Sequence, residues 1–93
     1  MADSTAYWWE KSFVAVDALA SGARPLRERL RDAWDSSLMR MRLHASVCPE
    51  LSERFNKIEA SFSKLEALEE AQLKGLASAI VSLYTEICRV HLR

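Results

Sequence analysis

The residues best equipped for chemistry are the two histidines and the two cysteines. His44 and Cys48 stand four residues apart, Cys88 and His91 three apart, and no other residue of either type occurs. Two thiolates and two imidazoles match a tetrahedral zinc site in ligand type and number. A Cys48–Cys88 disulfide is the other chemistry open to the same group. For the four to meet, the end of one helix, the start of the next and the end of the last must share one pole. An up-down-up-down bundle provides that arrangement.

Structural roles account for the same residues more simply. The spacing belongs to no common zinc module. Pro49 disfavours a helical conformation at Cys48 and turns it out of register with His44. Cys88 lies on the apolar edge of its helix, where a thiol packs as a small hydrophobe, and His91 is placed to cap final helix carbonyls. The expectation is therefore no cofactor, with zinc as the minority reading.

Other catalytic signatures are missing. The chain has no glycine-rich phosphate loop, no G-x-S-x-G elbow and no H-E-x-x-H. Glu50 and Glu53, or Glu66, Glu69 and Glu70, have no partner histidine nearby in the helical pattern and read as solvated faces. The chain is expected not to be an enzyme.

One basic concentration exists, in the second of the expected helices. Arg24, Arg27 and Arg31 line one edge of its apolar side, and Arg29 and Arg40 the other. A phosphate-binding face is conceivable there. Glu28 and Asp35 lie beside the first row, however, and would repel a nucleic-acid backbone. Arginines snorkelling at the rim of a buried stripe, some paired with acids one turn away, explain the pattern better.

The elements that position these residues read as helices. Two Gly and two Pro in 93 residues leave little punctuation for a many-turned β fold. A hydrophobic content of 49% with 28% charge suits one small globular domain spanning residues 1–93. From Ala6 to Ala20, one face collects Trp8, Trp9, Phe13, Ala15, Val16, Leu19 and Ala20, with Tyr7 and Val14 opposite and Gly22 free to close the helix. Pro25 suits a first helical position, and a second helix is expected to run to about Leu43. A third begins at Pro49, with Leu51, Phe55, Ile58, Phe62 and Leu65 forming a narrow seam of alternating four- and three-residue spacings. Glu69 and Gln72 would occupy the continued seam, so its register breaks near Leu68–Ala71.

The final stretch, Leu73–Leu92, carries apolar residues over about half its circumference, from Leu73, Leu76 and Ile80 through Val81, Leu83 and Tyr84 to Ile87 and Cys88. A stripe that broad requires several neighbours, so this is the expected central helix. Two architectures follow. A tight turn near residue 70 gives a compact all-α, up-down bundle of four helices. A helix running on from Pro49 gives three helices, the last of which pairs with another chain as an intertwined dimer. The tight turn is favoured.

Balanced charge, thirteen basic against thirteen acidic residues, points to no bulk attraction for nucleic acid and little self-repulsion. No run approaches a membrane span, the first residues are acidic where a signal peptide is basic, and two cysteines make no secreted disulfide framework. The expected location is cytoplasmic. Function is expected to be a non-enzymatic protein–protein interaction or regulatory module that self-associates, with Tyr7, Trp8, Trp9, Phe55, Phe62 and Tyr84 as interface anchors. The alternative is a nucleic-acid-binding regulator that uses the arginines of the second helix.

Overall fold

The computed structural model describes residues 4–21, 23–41 and 49–91. Four helices run in order: α1 (Ser4–Ala20), α2 (Leu26–Ser36), α3 (Pro49–Phe62) and α4 (Glu70–His91). A 3-10 turn, Leu38–Arg40, follows α2, and a second, Leu65–Ala67, follows α3. No strand occurs among the described residues. The principal extents are 38 × 24 × 19 Å. This is the compact bundle, not the long continuous helix.

In α1 the buried positions are Trp8, Ser12, Ala15 and Leu19, a four-three-four stripe. Ser12 and Ala15 are small, which lets α1 lie close to its neighbours. The Ser12 hydroxyl is satisfied inside the helix, donating to the carbonyls of Trp8 (2.7 Å) and Trp9 (3.1 Å). Phe13, expected on the core face, is instead 48% exposed, because the stripe centres on these smaller residues and leaves Phe13 well round the helix. Tyr7 and Val14 are exposed too, so no helix among the described residues covers a second face of α1. The Ser21 amide and hydroxyl both donate to the Asp17 carbonyl, ending the helix. The role expected for Gly22 lies outside the described residues.

Pro25 is the N-cap of α2 rather than its first helical residue, and its carbonyl accepts the amides of Glu28 and Arg29. The helix stops at Ser36 instead of running to Leu43. Serine hydroxyls compete with the backbone here, Ser36 donating to Asp32 and Ser37 to Ala33. Ser37 is itself fully buried, with its hydroxyl satisfied by the Ala33 carbonyl at 3.1 Å. The break and the 3-10 turn bring Leu38 and Met41 inward, joining Leu30 and Ala33.

Leu51, Phe55 and Ile58 are buried on α3, as the seam predicts, and Phe62 is half-buried. Trp34 of α2 ties the two helices together, with its ring 4.7 Å from Phe62 and 6.2 Å from Phe55. α3 ends at Phe62, earlier than the register break suggests. The Ser63 amide makes the last helical bond, to Glu59, and the chain tightens as Lys64 N–H donates to Ser61 and Ala67 N–H to Lys64. The turn still delivers Leu65 and Leu68 to the core.

The two residues that spoil the seam start α4. The Gln72 side-chain oxygen accepts the Glu69 amide at 2.8 Å, and the Glu69 carbonyl accepts the first helical amide, from Leu73. That is one half of a capping box, satisfying a donor the helix end would otherwise leave open. α4 then packs against each of the other three helices. Its fully buried line is Leu73, Leu76, Ile80, Leu83 and Ile87. No helix among the described residues is long and apolar enough to cross a membrane.

Candidate interaction surface

The buried line on α4 is narrower than its apolar stripe. Ala77, Tyr84 and Cys88 are only half-buried, and Val81 is 44% exposed. All four lie on the side of α4 that meets α1, at the same edge by helical geometry. The matching edge of α1 holds Trp9, Phe13, Val16 and Ala20. The two edges make a continuous apolar seam on the surface.

Aromatic contacts order its upper part. Trp9 and Phe13 stack with centroids 5.8 Å apart and planes at 12°, one turn apart on α1. Phe13 reaches over to Tyr84 of α4, centroid to centroid 6.3 Å. Below them the seam opens into a groove of about 630 Å³ between Val16, Leu19 and Ala20 of α1, Leu26 of α2, and Ala77 and Val81 of α4. Arg29 is the one charged residue lining it. Its guanidinium is occupied, donating to the carbonyls of Leu19 (2.7 Å) and Arg24 (2.8 Å). The groove offers apolar surface with little charge.

Tyr84 and Cys88, one turn apart on α4, are hydrogen-bonded. That bond, then partial burial and the charge of the nearby sulfur, hold the Tyr84 phenol above its ordinary value, while a hydrogen bond with Trp9 pulls it the other way.

The expected interface anchors separate into four groups. Trp9 and Tyr84 belong to the seam. Trp8 is 1% exposed and Phe55 is in the core, so neither can contribute area to a partner while the bundle stays folded. Phe62 is engaged with Trp34 at the α2–α3 contact. Tyr7 is exposed on the other side of α1, donating its hydroxyl to the Arg40 carbonyl at 3.1 Å beneath the Lys11 ammonium. Phe13 and Val81 were not among the anchors, although their edge positions on the two helical wheels were the available signal.

The arginines of α2 serve the bundle. Arg24 pairs with Asp32 at 2.5 Å and with Glu28 at 3.5 Å. Arg27 donates to the carbonyls of Leu65 (3.4 Å) and Leu68 (2.5 Å), fastening the α3–α4 turn to α2. Arg31 pairs with Glu66. A phosphate backbone would have to displace these partners, so the arrangement favours the structural role over the nucleic-acid one. In the possible zinc group, Cys88 is a free, half-buried thiol. His44 and Cys48, and the side chain of His91, lie outside the described residues.

Comparison of the chain with protein-family models, with curated proteins and with solved structures finds no match.

Proposed function

We propose that the protein is a non-enzymatic helical interaction module that self-associates through the α1–α4 seam. The observation that carries this reading is the pair Phe13 and Val81, large apolar side chains held exposed at 48% and 44% on facing edges of two packed helices. Folding covers only about half of each, and a partner would gain from the remainder. The seam's near-absence of charge suits an apolar surface like itself, and a net charge of zero leaves two copies without mutual repulsion. A two-fold dimer would lay one seam on the other and bury each Phe13 against the partner's groove.

The gain is worth estimating. A phenylalanine offers about 200 Å², so half of it buried at about 25 cal/mol per Å² contributes about 2.5 kcal/mol, once per copy. Phe13→Ser should therefore weaken a dimer at least about a hundredfold. Sedimentation equilibrium on the wild type, Phe13→Ser and Val81→Ser tests this. The expected result is a concentration-dependent dimer for the wild type and a monomer for both variants, with helicity retained. A strictly monomeric wild type, or a dimer indifferent to both substitutions, removes the reading.

A further inference from the structure

The two outer edges of the α1–α4 seam carry opposite charge. At about 100° per residue, Glu10 and Asp17 follow Phe13 round α1 on the side away from α4, and both are exposed. Lys74 and Arg89 follow Val81 round α4 on the side away from α1, and both are exposed as well. Only Ser78 and Thr85 stand between those two along that edge. Among the described residues no cation pairs with Glu10 or Asp17 and no carboxylate with Lys74. Arg89 has a surface contact with Glu86 of its own helix at 2.9 Å, of the kind worth little when exposed.

The heights of these charges are fixed by the packing. α1 and α4 run antiparallel, since Phe13 meets Tyr84 while the groove below brings Ala20 together with Ala77. Glu10 is therefore level with Ile87, about 3 Å along the axis from Arg89. Asp17 is level with Ile80, about 9 Å from Lys74. Glu70, one turn beyond Lys74, lies past the level at which α1 ends.

We propose that two copies of the chain pair about a two-fold axis parallel to these helices, so that α1 of each lies over α4 of the other and Glu10 pairs with the partner's Arg89. This rests on self-association through the seam and adds its orientation. Charge complementarity selects a second copy in this arrangement. A parallel axis keeps every residue at its own level, so the Glu10 contact forms twice. Asp17 then faces the partner's Lys74 across about one screening length. Phe13 meets the partner's Tyr84 and the partner's Val81, at the upper wall of the groove. A two-fold axis running across the helices would instead set α1 on α1 and α4 on α4, acid facing acid and base facing base.

Cross-linking reads the orientation directly. The chain's own thiols are first removed by Cys48→Ser and Cys88→Ala. Oxidising a mixture of Glu10→Cys and Arg89→Cys chains should then give a mixed disulfide dimer, because the two positions come within reach of one. Neither variant alone should link, nor should Glu10→Cys mixed with Asp17→Cys, because the two copies of α1 lie on opposite sides of the seam. Sedimentation equilibrium without these cysteine changes supplies a second reading. Glu10→Lys should weaken the dimer about tenfold, Glu10→Lys/Arg89→Glu should restore it, and added salt should weaken the wild type. Links between two copies of α1, a dimer that gives no mixed link, or one that salt strengthens and Glu10→Lys leaves unchanged overturns the orientation while self-association stands. A monomeric wild type removes both.

Discussion

Arg27 provides the sharpest test of what the basic residues of α2 do. Its guanidinium reaches two carbonyls of the α3–α4 turn, Leu68 at 2.5 Å and Leu65 at 3.4 Å. The Leu65 carbonyl already accepts the Leu68 amide at 3.2 Å, so it keeps a partner when Arg27 is removed, and its long contact contributes little. The Leu68 carbonyl is the larger loss. A hydrogen bond from a charged donor is worth about 1.5–3 kcal/mol. Arg27 is only half-buried, so water replaces part of it, leaving about 1–2 kcal/mol for Arg27→Met. In a domain of this size that lowers the melting temperature by roughly 4–16 °C, since about 1 kcal/mol corresponds to about 4–8 °C.

The control is Arg31→Met. Its ion pair with Glu66 joins two exposed side chains and is worth about 0–1 kcal/mol. Arg27→Lys should fall between wild type and Arg27→Met, because one ammonium cannot reproduce the two-pronged reach of the guanidinium. Thermal and urea denaturation followed by circular dichroism reads all three. If Arg27→Met melts with the wild type, or no lower than Arg31→Met, the clamp on the turn contributes nothing and α2 regains its standing as a binding surface. The same reasoning warns against testing nucleic-acid binding by charge reversal at Arg27, because any loss would be confounded with loosening of the fold.

Two further outcomes are open to measurement. Gly75→Ala should raise stability by about 0.5–1 kcal/mol, since Gly75 is exposed within α4 and the added methyl meets nothing; urea denaturation checks it, and a destabilised variant would contradict the open space. Tyr84, read by ultraviolet difference absorbance in a Tyr7→Phe background, should ionise above its ordinary value of 10.0, and Cys88→Ala should bring it down. Because the folded state favours the neutral phenol, this contribution to stability is complete below the ordinary value and is lost as pH rises through the folded one. A midpoint unaffected by Cys88→Ala would remove the thiol as the cause.

Much of the bundle was legible from residue spacing. The Leu51–Phe55–Ile58–Phe62–Leu65 seam turns inward as its period requires, and α4 is central because its stripe is too broad for one neighbour. Glu69 and Gln72 were readable as a break because polar residues cannot continue an apolar seam. Their capping geometry came with the structure. The early ends of α2 and α3 were harder to see, because serines interrupt a helix only where competing hydrogen bonds and the packing of nearby leucines agree.

The sequence by itself determined the helical class and most of the core, since these follow from a periodicity local to each segment, but it left three helices or four open until the turn between α3 and α4 was seen. Only the tertiary structure decided which apolar edges remain uncovered. Phe13 and Phe55 are the same residue type, yet one is half-exposed and the other lies in the core. Likewise, Arg27 and Arg54 differ not in chemistry but in whether a folded partner reaches them. A side chain's availability depends on which elements lie beside it, and that is set by the packing of distant segments.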